Sequence, residues 1–597
     1  MGLKGLEYFL EKSRVSNTPA GERNFHIFHY LVTGASADER EHLRLESNAS
    51  AYRYLSHSRS SAASLSSDSS RFQQLKDAFK AVGFPKKAVA SICQLLAAIL
   101  HLGNIEFVMD KRRNADSAVV KNNHVLDIAA EFLGVDASEL EYTLTNKSAV
   151  LGGEVCAVFL DAEGSASNRD DLAQSLYGLV FSWIGEFLNE KLCRDDFTTF
   201  VSVVDFPGPI QHLSSHRDGL GVEAFCFNLA TERVQAFALE QLCEANKAEY
   251  KSDGLDLPGL DHKCPSNSET VRLLTNTPGG LVHIIDDQSR RKGKTDATML
   301  KAMTKRWGSH PSFASKEGDE AQGRPGTFSI SHFDGQVTYS TESFLQANSA
   351  AVSSVFVTLL GGSTPAVGQD GRTTPGARDA LSTGGSSLSF VRQLFANGAV
   401  ETKAHPKSED TIVGASQKVG PRRAPSTRRP RGKNAPVNPF TDSTNTEATN
   451  EEDTPAADPS KAEGRSIVQE VNDSLSLLVN TLNTTRSWFI FCLRPNDAQL
   501  PNQVDAKLLK HQIRSLGLAD LATRLQGEWT VNLELKEWWD RYGDIEVLQE
   551  EHQALSALVY RDKAIRVKEI LGFSEKEMGI GQNKVSTLSS FFLLSSC

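Results

Sequence analysis

An aspartate and a glycine three residues apart, Asp205 and Gly208, lie near the end of the stretch Phe197 to Ile210, FTTFVSVVDFPGPI. Val201, Val203 and Val204 give it the β-branched content of a strand, and a strand that runs into Asp-x-x-Gly can do phosphate chemistry. The carboxylate would face a magnesium ion, and the glycine would bring a backbone N–H up to a terminal phosphate. The competing reading is a plain turn, because aspartate, proline and glycine are all turn formers. Only the rest of a phosphate site can separate the two.

A phosphate-binding loop needs Gly-x-x-x-x-Gly-Lys-Ser/Thr, whose amides cradle phosphate while lysine neutralises it and the hydroxyl holds magnesium. Gly293-Lys294-Thr295 supplies the last three residues, but Gln288 stands where the first glycine belongs. The tripeptide also follows Asp205 in a charged loop instead of preceding it after a strand, so it reads as a decoy. His26, His101 and His332 sit on helix or strand patterns with no metal-ligand spacing, and read as core or surface histidines. No catalytic residue and no metal site is expected.

With 597 residues the chain has room for three or four structural units. Hydrophobic content of 39% and charged content of 23% are ordinary for a soluble globular protein. A formal charge of −10 gives no reason to expect nucleic acid as a partner. The eight cysteines are scattered without a Cys-x-x-Cys pair, which predicts a reducing, cytosolic setting and no structural zinc. MGLKGLEYFLEKSR is too charged for a signal peptide, and AVASICQLLAAILHLG (88–103) is too short for a membrane span, so no span is expected.

The elements that must position Asp205 come from residues 1–360, which read as one α/β unit. Helices are predicted at GERNFHIFHYLVT, RFQQLKDAFKAVGF, 88–103, HVLDIAAEFLGV and 170–193, with a serine-rich surface insert over 48–70. Gly221 to Asp253 predicts one long helix with an apolar stripe through Cys226, Ala230, Val234 and Phe237. GTFSISHFDGQVTYS (326–340) predicts a hairpin turning at Asp334-Gly335. Over 361–465, glycine, serine, proline and threonine dominate, with SFVRQLF (389–395) the aromatic exception. There a basic run (Lys403, Lys407, Lys418, Arg422, Arg423, Arg428, Arg429, Arg431, Lys433) precedes an acidic one. It reads either as a solvated linker or as an arm that captures an acidic surface. Residues 466–597 resume order with a helix, a buried strand at SWFIFCLRP (487–495), and two further helical stretches.

In this order the stretches resemble the myosin motor head. EKSRVSNTPAGERNFHIFHYL (11–31) is similar to the segment after switch I, and DFPG (205–208) sits where switch II sits. The long helix falls where the relay helix does, and GGLVHIIDDQSRRKGKTDATMLKAM, FSISHFDGQVTYS and WFIFCLRPND resemble further motor motifs. The details resemble most the motor-like domain that fungi fuse to class V and class VII chitin synthases. The resemblance implies a P-loop-NTPase-like α/β head with an incomplete central mixed sheet. It implies 361–465 as a loop 2-like insert and 466–597 as a C-terminal region leading into a truncated converter-like part. It also implies actin filaments as partner, with Arg422, Arg423, Arg428, Arg429, Arg431 and Lys433 as the basic contact. Mg-ATP is the family cofactor, with Asp205 and Gly208 its switch II-like contacts, and the location implied is cytoplasmic, on the cytoplasmic face of a membrane if fused to a synthase.

Departures from the family pattern argue against ATP hydrolysis. Switch II in the family continues Gly-Phe-Glu, and here Pro209 and Ile210 follow Gly208. Ser69-Ser70-Arg71-Phe72 is similar to switch I, but Gln73 replaces its glycine and it follows residues 11–31 instead of preceding them, so it reads as a loop end and helix start. Glu22 and Arg23 match a family motif and are expected to form structural ion pairs. A chain that starts after switch I and fades in the converter is expected to be a partial gene product, without bound nucleotide of its own. The alternative is a complete actin-activated ATPase in a longer product.

Overall fold

The computed structural model describes residues 2–587 apart from 8, 19–21, 57–61, 110–117, 152–153, 194–199, 211–219, 245–246, 256–258, 292, 320–323, 349–351, 363–384, 396–465, 498–499, 527–528, 530, 544–547, 549–554 and 556. The first core begins with α1 (His26–Gly34), α2 (Ala37–His42), α3 (Ala62–Val82) and α4 (Lys86–Gly103). The pair β1 (Phe107–Met109) and β2 (Ala118–Val120), α5 (Asn123–Leu133), α6 (Ala137–Thr145), the hairpin β3 (Asn146–Leu151) and β4 (Glu154–Phe159), and α7 (Ala162–Leu192) complete its N-terminal part. Helix α4 is long and apolar enough to cross a membrane, yet Leu95, Ala97, Ala98, Ile99, Leu100 and Leu102 lie buried in this core. Helix α7 starts where the Asp161 carboxylate accepts the Gly164 N–H, so it begins eight residues before residue 170, the start expected from sequence.

Helix α8 (Val222–Leu239) opens a second core, and after α9 (Lys247–Ser252), whose Tyr250 packs in a separate small cluster, that core continues with α10 (Ser268–Thr275), α11 (Leu281–Arg290), α12 (Asp296–Trp307), β5 (Phe313–Lys316), β6 (Thr327–His332), β7 (Gly335–Ser340) and α13 (Phe344–Ala347). The strands form one antiparallel sheet in the order β5-β6-β7, and the predicted hairpin turns at Asp334-Gly335 as read. Helices α14 (Ser354–Gly361) and α15 (Ser389–Phe395) return to the first core, and α16 (Ile467–Asn483) packs on α8. After α17 (Ala506–Ser515) and α18 (Leu518–Arg524), a third core joins β8 (Val531–Glu534), α19 (Leu535–Tyr542), the helix Tyr560–Leu571, β9 (Met578–Ile580) and β10 (Lys584–Thr587).

Several expectations are corrected. The described sheets are small and antiparallel, and the parallel pairing seen among the described residues is an isolated bridge, Leu220 to Tyr339, not a central mixed sheet. Residues 200–210 form no strand, with Val201 93% and Val203 88% exposed. The predicted buried strand at 487–495 is likewise not one: Phe489 faces Phe237 of α8, while Trp488 and Ile490 are 79% and 90% exposed. β-branched and aromatic content favours extended backbone, but a strand exists only when a neighbour accepts its ladder, and no described strand pairs with either segment.

The serine-rich insert is not a bare loop: Tyr52, Tyr54 and Leu55 are buried, and Ser69 to Phe72 lie inside α3. Helix α8 buries Phe225, Asn228, Leu229 and Glu232 besides Cys226, Ala230 and Phe237 of its predicted stripe, so it is enclosed on most sides, and it ends in a π-turn at Glu240–Glu244 before α9. Cys243 and Cys264 form a disulfide across 21 residues of sequence, a pairing that spacing alone does not suggest. The basic and acidic runs of 403–458 lie outside the described residues.

Residues 3–7 and 9–16 run along α7 in the opposite direction. Leu3 N–H donates to the Leu192 carbonyl at 2.9 Å, the Asn189 amide brackets Gly5 at 2.8 and 2.9 Å, and Gln174 donates to Ser16 Oγ at 2.8 Å. Between these points the Lys12 stem passes over Gly178, where an added Cβ would meet Lys12 Cδ at 3.0 Å. The expected ion pairs are present, Arg14 to Glu22 and Arg23 to Asp68, both at 2.6 Å.

His29, on α1 beside Arg23, is 1% exposed, and burial, with the Arg23 charge adding to it, pushes its imidazole down to about 4. Its folded value lies below the unfolded one, so the stability it contributes is present above about 6.5 and is lost as pH falls from there towards 4. His29→Gln is therefore expected to remove roughly 2 kcal/mol of the loss in unfolding free energy from pH 7 to pH 5. Urea denaturation of both proteins at the two pH values measures this difference.

Candidate functional site

Asp205 and Gly208 are both exposed, and a Cβ added at Gly208 would meet nothing within 4 Å. Packing therefore does not require glycine there. The half-buried Phe206 side chain packs against the second core, and the segment is fixed at its far end by Ile210. Asn228, midway along α8, accepts the Ile210 N–H through Oδ1 at 2.8 Å and donates Nδ2 to the Ile210 carbonyl at 3.0 Å. One amide side chain thus satisfies both backbone groups of one residue, as a neighbouring strand would.

Behind Asn228 lies a buried chain of hydrogen bonds. Asn228 Nδ2 donates its second hydrogen to Tyr339 Oη on β7 at 2.7 Å, and Tyr339 Oη meets His332 Nε2 at 2.8 Å. His332 Nδ1 meets Glu232 Oε1 at 3.1 Å. The same oxygen accepts the Phe333 N–H at 2.7 Å, while Asn267 donates to Glu232 Oε2 at 2.5 Å and to its carbonyl at 2.9 Å. Asn228, Glu232 and Tyr339 are each 1% exposed or less. Burial pushes the Tyr339 hydroxyl far up, so it keeps its proton. Because its oxygen accepts from Asn228, that proton points to His332 Nε2, which leaves Nδ1–H to donate to the Glu232 carboxylate. The direction of every proton is set by the amide at one end and the carboxylate at the other.

A second polar joint lies beyond α9. Asp253 is buried, and its carboxylate accepts the N–H groups of Asn583 at 2.6 Å and Lys584 at 3.2 Å, while its carbonyl accepts Gln582 N–H at 3.0 Å. Asn532 donates to Tyr250 Oη at 2.9 Å, and Lys584 pairs with Glu249. These contacts dock the third core on the α8–α9 arm.

Neither joint was named from sequence. The available signal was polar Asn228 and Glu232, one helical turn apart on α8, and a hairpin that carries His332 and Tyr339. The Gly-Lys-Thr decoy has a structural role: Gly293 has φ +75° and Thr295 caps α12 by accepting the Thr298 N–H. Glu22, Arg23, His101 and His332 are structural as read, with His101 Nε2 on the Leu43 carbonyl at 3.1 Å. Arg422, Arg423, Arg428, Arg429, Arg431 and Lys433 lie outside the described residues.

The described residues at the switch II-like segment do not fit a magnesium–nucleotide site. One exposed carboxylate and one exposed glycine amide are present, and the residue two after that glycine is Ile210, an apolar side chain held by its backbone. No group of three or more His, Cys, Asp or Glu poised for a metal occurs among the described residues.

Comparison with known proteins places this geometry. The profile of the myosin head (motor domain) matches residues 2–369. Chitin synthase 8 of Mycosarcoma maydis is 43% identical over 98% of this chain, and chitin synthase 5 of Cryptococcus neoformans var. grubii is 37% identical over 98%. A chitin synthase of Aspergillus niger is 30% identical over 88% of the chain. The chain spans 29%, 29% and 34% of these three relatives. The helix α8, the segment it clasps and the hairpin behind it lie within the matched residues, and this chain belongs to the myosin head (motor domain) family, in the form found in fungal chitin synthases.

Proposed function

We propose that residues 1–597 act as an actin-directed targeting module of a cell-wall chitin synthase and do not themselves hydrolyse ATP. The observation that carries the second half is Ile210: the position where the family resemblance calls for a glutamate holds an aliphatic residue clasped by Asn228. Phosphoryl transfer depends on positioning and charge neutralisation, and Asp205 with one glycine amide supplies too little of either. The first half is supported by the family and by the names of its relatives. Its working location is the cytoplasm, at the cytoplasmic face of plasma membrane or secretory vesicles when fused to a synthase catalytic region. Actin filaments are the partner, reached through the basic arm, and nucleic acid is not one.

Co-sedimentation of the 597-residue chain with actin filaments tests this. Binding is expected to weaken steeply from low to physiological salt, where charges are screened within about 8 Å. Neutralising Arg422, Arg423, Arg428, Arg429 and Arg431 together is expected to reduce low-salt binding by about tenfold or more, on the order of 1.4 kcal/mol. Unchanged binding removes the arm from the account, and a specific rise in melting temperature with Mg-ATP contradicts the nucleotide half.

A second reading rests on the exposure of Asp205 and Gly208. In a longer protein that supplies Gly-x-x-x-x-Gly-Lys-Ser/Thr, the same two residues would face a nucleotide in an actin-activated ATPase. Sequencing the complete transcript and assaying its whole product for actin-stimulated ATP hydrolysis separates the readings.

A further inference from the structure

The disulfide between Cys243 and Cys264 lies outside the three large cores. Cys243 sits in the π-turn after α8 and is 3% exposed, whereas Cys264 is half-buried on the loop before α10, between exposed Lys263 and Pro265. Both pack in a small apolar cluster with Leu239, Leu521, Leu242, Leu518 and Phe491. A free thiol behaves as a small hydrophobe in such surroundings, so the cluster accepts two thiols as well as a bridge.

The bridge closes a loop whose middle docks the third core. Inside it lie α9, with Tyr250 buried and its ring 6.1 Å from that of Trp529, and Asp253, which accepts the N–H groups of residues 582–584. Both arms of the loop rest on α18. Arg524 Nε donates to the Cys243 carbonyl at 3.1 Å, and His262 Nε2 meets Asp520 Oδ1 at 3.0 Å. Gly259 lies so close to the Thr523 and Arg524 carbonyls that an added Cβ would meet them at 2.3 and 2.5 Å. Across the loop, Lys251 pairs with Asp261, but both are exposed and such a pair holds weakly. Opening the bridge thus leaves the loop seated and takes no residue from a large core. What changes is closure: a locally opened loop gains the conformational freedom that the bridge denies it.

We propose that the Cys243–Cys264 bridge is a reversible thiol–disulfide switch, exchanging with a small-thiol couple such as glutathione, that sets how firmly the α9 arm holds the third core. A small thiolate attacks the Cys264 sulfur, the more accessible of the two. The protein S–S bond breaks as a mixed disulfide forms at Cys264, and Cys243 leaves with the bonding electron pair and takes up a proton. A second small thiol then displaces Cys264 from the mixed disulfide, so two electrons pass to the protein and the reductant leaves as its own disulfide. The small disulfide reverses each step. In thiol-buffered compartments disulfides are usually transient or redox-sensing, which fits the cytoplasmic location proposed above. The exchange itself depends neither on that location nor on actin or nucleotide binding.

Equilibrating the 597-residue chain with reduced and oxidised glutathione at several ratios tests it, with alkylation and mass spectrometry to assign the pairing and to keep Cys492, exposed and free, apart. The bridge is expected to open and close with the ratio in native buffer. On opening, hydrogen–deuterium exchange at residues 247–253 and 582–584 is expected to speed by about tenfold or more, while α4 and the β6–β7 hairpin keep their protection. Cys264→Ser is expected to show the fast exchange at every ratio, and Cys243→Ala takes its place should that variant not fold. A bridge that opens only in denaturant is a fixed staple and overturns the switch, as do thiols that stay free at every ratio. Opening with unchanged exchange at 247–253 and 582–584 removes the link to the third core and overturns it too. So does a rise that includes α4 and the hairpin, because the bridge would then support global stability only.

Discussion

Replacing Glu232 with alanine is expected to cost roughly 3–5 kcal/mol of folding stability, the range for removing one member of a buried, hydrogen-bonded charged network. Three donors lose their acceptor at once: the Phe333 N–H, the His332 Nδ1–H and the Asn267 amide. Each buried donor left unsatisfied costs about 1–3 kcal/mol, and the carboxylate these donors lose is 0% exposed in the intact protein. The effect is expected to travel in order. His332 loses the group that fixes its tautomer, Tyr339 then loses its acceptor, and Asn228 becomes free to turn away from Ile210. Tyr339→Phe, which cuts the chain nearer Ile210 and leaves Glu232 paired with His332, is expected to cost only about 1–2 kcal/mol. Urea denaturation of the two variants, with exchange of the Ile210 amide followed by NMR or mass spectrometry, measures both. Equal costs for the two substitutions would mean that Glu232 acts locally and not as the anchor of a chain.

The second large effect is expected at Gly581. A Cβ built there would overlap Asp253 Oδ2 and lie 2.9 Å from the Asp253 carbonyl, closer than any side chain tolerates. Gly581→Ala must push the carboxylate off Asn583 and Lys584, orphaning two backbone donors at a cost of about 3 kcal/mol or more. Because the closest overlap is with that carboxylate, Asp253→Ala relieves it and leaves only the approach to the Asp253 carbonyl, so the double variant is expected to cost less than the sum of the singles by about 1–2 kcal/mol. Limited proteolysis is expected to release the third core from Gly581→Ala while the first two cores survive. Additive costs in the double variant would show that Asp253 and Gly581 do not act on one joint.

Much of the fold was legible because it rests on local periodicity. Helix α4, the hairpin at Asp334-Gly335 and α16 each carry their pattern within one segment, and each formed where read. The failures share a cause. Val201 and Val203, like Trp488 and Ile490, have the composition of strands, but a strand is a property of two segments and the sequence of one cannot supply the other. The same holds for Cys243 with Cys264, and for Glu232 with His332, 100 residues away. Asp205 and Gly208 were visible because chemistry had to be adjacent in the chain to be recognised. Asn228, which decides how their segment is held, was not, since an asparagine on a helix says nothing until its partner is in place.

The antiparallel course of residues 3–7 and 9–16 along α7 makes the seam mechanically direction-dependent. Its attachments fall in register, Leu3 at Leu192, Gly5 at Asn189, Lys12 at Gly178 and Ser16 at Gln174. Tension pulling residue 3 away from the helix would peel these one at a time, each bearing the whole load in turn. The same tension along the helix axis would load all of them together, in shear, and would meet far greater resistance. A tether drawn from the N-terminal side would therefore undo the seam or lock it according to its angle, although the attachments it loads are the same in both cases.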